Sequence, residues 1–139
     1  MVTILIYNNS NLKRIPRQKL EKAVQAVFVE EKCNEGEVRI IFENDEVIHT
    51  LNREYLGHDY TTDVITFPLE ERPLEGEIYI SVDIAKIQAV EYAESLSDVL
   101  TRLAVHGALH LTGYDDSTDI DKERMNELET YYINNKITS

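Results

Sequence analysis

Apolar residues recur along this chain in two periods, and the switches between them lay out its elements. Thr3 to Tyr7 is a β-branched run that predicts a strand. After Pro16, a favourable first-turn residue, Leu20, Ala23, Val24, Val27 and Phe28 repeat at helical spacing. Glu37 to Phe42 predicts a second strand, and Asn44 or Asp45 can cap a helix carrying Val47, Ile48, Leu51 and Tyr55. Asp63 to Phe67, ended by Pro68, predicts a third strand. Past the loop around Arg72-Pro73-Leu74, Glu77 to Ser81 alternates as a fourth, and Ala85, Ala89, Tyr92 and Leu96 mark the helix after it. Ser97 or Asp98 opens a helix whose apolar content from Val99 to Leu111 implies burial on most sides, which predicts the central helix. Ser117, Thr118 and Asp119 start a last helix with Met125, Leu128, Tyr131 and Tyr132 turned inward. Four strands and about five helices without strict βαβ alternation predict an α+β domain built on a mixed sheet, with residues 1–139 forming one domain.

Charge and composition narrow the function classes. At 139 residues the chain can bury one continuous core but not two. No apolar stretch approaches the length of a bilayer span, and Met1-Val2-Thr3 runs straight into the first strand instead of into a signal core, so a cytosolic protein without a membrane partner is expected. Cys33 is the only cysteine and reads as a free thiol in a reducing compartment. The net charge of −12 repels nucleic acid at long range, so any such binding must come from a local basic patch or from a metal. Lys13, Arg14, Arg17, Lys19 and Lys22 form the dense cationic cluster, which reads either as a solvated helix face or as a set of phosphate contacts.

The chemistry concentrates in His106 to Asp116, reading HGALHLTGYDD. His106 and His110, four apart, share one helical face, so both imidazoles can reach one ion. Gly113 can take a positive φ, end the helix and fold the chain back so that Asp116 meets the same ion. Asp115 is the rival third ligand, and Asp116 is preferred on spacing. Three ligands of this kind suit Zn2+ and leave a fourth position for water, the mark of a catalytic site. The spacing equals that of the metzincin peptidases, but their general-base glutamate is here Gly107, which disfavours ordinary peptide hydrolysis. The alternative is that Val99, Leu103, His106 and His110 form one buried stripe with two satisfied core histidines.

HGALHLTGYDD, together with Thr62-Asp63-Val64-Ile65-Thr66-Phe67-Pro68, Gly76 to Ser81, and Met125, Leu128 and Glu129, resembles the YbeY family over nearly the whole chain. These are bacterial metal-dependent endoribonucleases, also called ribosomal RNA maturation factors. The resemblance implies a zincin-like fold with the metal site at the end of the central helix, and one zinc ion per chain. It further implies single-strand-specific RNA cleavage in the bacterial cytoplasm, with ribosomal RNA, the small ribosomal subunit and proteins of ribosome assembly as partners, and DNA not among them. The chain departs from the family pattern twice. The third ligand position is Asp116 instead of histidine, which retains metal binding while making the ion a weaker Lewis acid. Leu56 stands where the family has an arginine able to hold a phosphate bidentately. Arg53 and His58 are the candidate replacement cations.

Two other functions compete with metal-assisted phosphodiester cleavage: a zinc-stabilised ribosome- or RNA-binding module with weak or no cleavage, and a metalloprotease. Thr61, Thr62 and Asp63 read either as turn chemistry or as cleft lining, His49 as structural, and Tyr114 as packing over the ligand turn. Asp115 is also placed to support a ligand imidazole by a hydrogen bond.

Overall fold

The structure, a computed structural model, describes residues 1–134, so the last five residues of the 1–139 span lie outside it. Strands β1 (Val2–Asn8), β2 (Gly36–Glu43), β3 (Val64–Glu70) and β4 (Leu74–Ser81) form one mixed sheet in the order β1-β2-β4-β3. β1 with β2 and β2 with β4 run parallel, and β3 with β4 antiparallel. Among the described residues five helices accompany the sheet: α1 (Arg17–Glu30), α2 (Asp45–Leu56), α3 (Val82–Glu91), α4 (Leu96–Leu111) and α5 (Asp119–Asn134). The α+β class and the mixed sheet agree with the sequence pattern. No helix among the described residues is long and apolar enough to cross a membrane.

Val38, Ile40 and Phe42 of β2 and Ile78 and Ile80 of β4, all fully buried, form the inner face of the sheet. Helices α1 and α4 press on that face through Leu20, Val24, Val27, Phe28, Leu100, Ala104 and Leu109. Two glycines let α4 approach closely. A Cβ on Gly107 would lie 2.6 Å from Ile78 Cγ2, and one on Gly76 would lie 2.6 Å from Leu111 Cδ2. Bare backbone at both positions seats the end of α4 directly on β4.

Several boundaries differ from the sequence expectation. Pro68 does not end the third strand. β3 lies at the edge of the sheet, where a missing N–H costs no ladder bond, and the strand continues to Glu70 with an irregularity after Pro68. Leu74 to Gly76 belong to β4 instead of a loop. Neither Ser97 nor Asp98 opens α4: the cap is Ser95, whose Oγ accepts from the Asp98 amide at 3.0 Å, and Leu96 therefore belongs to α4 instead of α3. Asn44 occupies the cap position of α2, but its side-chain amide points to Asp83, and Asp83 accepts the Asp45 amide at 2.7 Å. Tyr131, expected inside, is 45% exposed and donates to Glu30 at 2.8 Å, whereas Met125 and Tyr132 are buried. Of the cationic cluster, Lys13 and Arg14 precede α1, Arg17 donates to the Ile6 carbonyl, and Lys19 pairs with Asp98.

Ser95→Ala removes the α4 cap and is expected to cost about 1 kcal/mol, lowering the midpoint of thermal unfolding by roughly 3–5 °C in circular dichroism. The hydrogen bond from Lys19 holds the Asp98 carboxyl below the usual range. That pair is half exposed, so its contribution, present at neutral pH and lost as acid protonates Asp98, stays below about 1 kcal/mol.

Candidate metal centre

The last turn of α4 places His106 and His110 on one face, and the turn beyond it supplies the third group. Thr112, Gly113 and Tyr114 donate their amides back to carbonyls of the last helical turn. Gly113 takes φ +108°, a conformation open to glycine and strained for other residues. The reversal returns Asp116 to the helix end. His106 Nε2 and His110 Nε2 lie 3.0 Å apart, and Asp116 Oδ2 lies 3.3 Å and 3.5 Å from them. Three ligands around an ion at about 2.0–2.1 Å stand about 3.3 Å from one another in a tetrahedron, so these separations match what one small cation needs. The three could hold a metal ion.

The outer ring nitrogens fix the orientation. His106 Nδ1 lies 2.7 Å from Glu129 Oε2 of α5, and His110 Nδ1 lies 3.0 Å from the Tyr114 carbonyl. A carbonyl only accepts, so His110 carries its proton on Nδ1 and turns the bare lone pair of Nε2 inward. Burial alone would lower the pKa of His106, but the hydrogen bond and charge of Glu129, with Asp116 and Asp63, raise it on balance. Two imidazoles 3.0 Å apart facing a carboxylate therefore attract either a proton or a metal ion. Glu129 is itself 7% exposed and held by Arg102, whose Nη1 lies 3.5 Å from Oε1.

Glu129 is the site residue that role-by-role sequence reading missed. Its signal was present: it lies four residues after Met125 and three before Tyr132, on the one buried stripe of α5, where a carboxylate needs a partner. Glu129→Gln is expected to weaken metal binding about 10–100-fold with little change in the fold, as read by competition against a zinc indicator.

Asp115 is exposed and bonds the Asp116 amide at 2.8 Å and the Ser117 hydroxyl at 2.9 Å. It stabilises the turn, and the Tyr114 carbonyl takes the role of imidazole support considered for it. Tyr114 donates its hydroxyl to Glu31 at 3.0 Å and lies under Arg124 at 5.9 Å, which fixes the turn against α1 and α5. Asp63 accepts from Gln88 at 3.0 Å and its charge reaches His106, while Thr61 donates to Asp45. Arg53 and His58 lie outside the group: Arg53 Nη1 is 4.0 Å from Asp59, and the His58 ring stacks on Tyr60 at 5.2 Å. His49 also meets Asp59, at 2.9 Å. His110 opens onto a groove of about 1120 Å³ whose walls include Glu31, Glu35, Glu70 and Glu71 against Lys32 and Arg72.

An α+β protein with a candidate metal centre at the end of its buried helix, and with no carboxylate at Gly107, is the class this fold and site define. A family model described as Endoribonuclease YbeY matches residues 5–136, and the chain belongs to that family. Proteins named Endoribonuclease YbeY include one from Chloroherpeton thalassium, 35% identical over 93% of this chain and 92% of the relative. Another, from Bacillus licheniformis, is 43% identical over 81% of this chain and 82% of its own length. The solution structure of a Thermotoga maritima protein superposes with a TM-score of 0.67 at 29% identity, covering 94% of this chain and 87% of that one.

Proposed function

We propose that this chain is a zinc-dependent endoribonuclease that cleaves single-stranded RNA and acts in ribosomal RNA processing and small-subunit maturation in the bacterial cytoplasm. The observation that carries the reading is the convergence of two Nε2 atoms and one carboxylate oxygen at separations suited to one ion, in a chain of the endoribonuclease family. When bound, zinc supplies a Lewis acid for a phosphoryl oxygen and an acidified water. The donors fit it: two imidazoles whose outer nitrogens are held by hydrogen bonds and one carboxylate match the nitrogen and oxygen ligands this ion takes.

The chain's own residues set the rest. Glu129 and the Tyr114 carbonyl hold the two rings in register, and the negative charge of Asp116 tempers the electrophilicity of the ion. Gly107 offers no base where a peptidase would have one, and Ile78 occupies the space a side chain there would need. Leu56, 46% exposed, offers no cation to a phosphate. Chelator treatment is expected to abolish cleavage of single-stranded RNA and zinc to restore it, and Asp116→His to raise the rate. A zinc-loaded protein that leaves RNA intact, with Asp116→His gaining nothing, would replace this reading with a zinc-stabilised RNA-binding module.

A further inference from the structure

The segment between α2 and β3 carries an unusual amount of exposed ring surface. Gly57, at φ +71°, ends α2 and turns the chain outward. His58 and Tyr60 then stack with their planes parallel but offset, 5.2 Å between centroids and 8° between planes, with both residues exposed. Tyr55 and Leu56 beside them are 68% and 46% exposed, and Tyr60 is 55% exposed. The loop is held from below, since the Asn52 side chain is buried and donates to the Tyr60 carbonyl at 2.8 Å. The ring pair is thus presented on a fixed backbone. Tyr60 stands three residues before Asp63, a reach of at most about 11 Å along the chain, and the charge of Asp63 is one of those that act on His106.

Electrostatics favours base faces over phosphates at this place. The chain carries −12, the groove beside His110 has four carboxylates against two cations, and Arg53 and His49 in this region both face Asp59. A polyanion gains little here from ion pairing. Aromatic faces, in contrast, accept any unstacked base, and each such stack is worth about 1–3 kcal/mol.

We propose that the stacked His58–Tyr60 pair is a base-stacking platform for single-stranded RNA entering the metal centre, so that this chain holds its substrate by base faces more than by phosphates. The inference rests on the endoribonuclease reading and specifies how that site takes its substrate. It predicts a preference for unpaired purine-rich segments, because a duplex keeps its base faces covered and purines stack more strongly.

The test is binding of a fluorescein-labelled 2′-O-methyl oligoadenylate decamer to the zinc-loaded protein, followed by anisotropy across a range of salt concentrations. Tyr60→Ala is expected to weaken binding about 5- to 100-fold, Tyr60→Phe to retain it, and affinity to fall with salt less steeply than for two phosphate contacts, a logarithmic slope shallower than about −1.4. Among the described residues the loop is held through the Tyr60 carbonyl and not through its side chain, so the fold survives its removal, as circular dichroism checks. Equal binding by Tyr60→Ala and wild type, or a steep salt slope lost on replacing Lys13 and Arg14, would overturn the platform while leaving RNA binding intact. No binding of any single-stranded RNA by wild type would overturn the endoribonuclease reading itself, and the platform with it.

Discussion

His110→Ala protein is expected to be purified without its metal and to cleave single-stranded RNA at least about 10³-fold more slowly than wild type. Removing a hydrogen-bonding partner behind a ligand costs about 10–100-fold in affinity, and removing a ligand costs more, since only one imidazole and one carboxylate remain. The fold should persist, because His110 is partly exposed and loses only its hydrogen bond to the Tyr114 carbonyl, worth about 1 kcal/mol, and its Nε2 contacts with His106 and Asp116 at the helix end. Metal content by plasma emission, unfolding by circular dichroism and cleavage on the same preparation separate these effects. The variant also controls for contaminating ribonuclease, which would survive the substitution.

Gly107→Glu, which writes the peptidase glutamate into this helix, is expected to unfold the protein instead of conferring peptide hydrolysis. Even a Cβ at this position meets Ile78 Cγ2 at 2.6 Å and its Cγ1 and Cδ1 at 3.0 Å. Ile78 is fully buried in the strand beneath α4 and branched at Cβ, so its χ1 is restricted and it yields only at a cost. For Gly107→Ala the gain in helix propensity, about 1 kcal/mol, is outweighed by overpacking of about 1–3 kcal/mol. For glutamate a carboxylate is added with no partner within the packed layer, and the cost exceeds about 4 kcal/mol, a large share of the stability of a domain this size. Urea unfolding of both variants checks the order. In an Ile78→Ala background, which removes Cγ1, Cγ2 and Cδ1 together, Gly107→Ala should recover part of its loss, showing that the two side chains compete for one space.

Period and spacing suffice where a local rule is also the tertiary rule. The α1 positions Leu20, Ala23, Val24, Val27 and Phe28 are all buried, and the return of Asp116 beside the two histidines follows from helix geometry and one glycine. The tolerance of Pro68 within the strand depends on β3 being an edge strand, a property of strand order and not of the segment. Ser95, Ser97 and Asp98 are all favourable cap residues, and only the backbone of Ser95, extended at φ −69° and ψ 150°, makes it the cap. Tyr131 and Tyr132 are adjacent, so only one could face inward, and the stripe through Met125 and Glu129 selects Tyr132. Gly107 was legible as a missing base, but the reason a base cannot be placed there lies in Ile78, a residue nearly thirty positions earlier.

The metal centre is the claim on which the cleavage chemistry depends. A crystal structure of the zinc-loaded protein, with anomalous scattering recorded on both sides of the zinc edge, tests it most directly. One anomalous peak about 2.0–2.2 Å from His106 Nε2, His110 Nε2 and an Asp116 carboxylate oxygen is the expected result. Zinc bound elsewhere, or those three side chains turned apart with no peak between them, would contradict it.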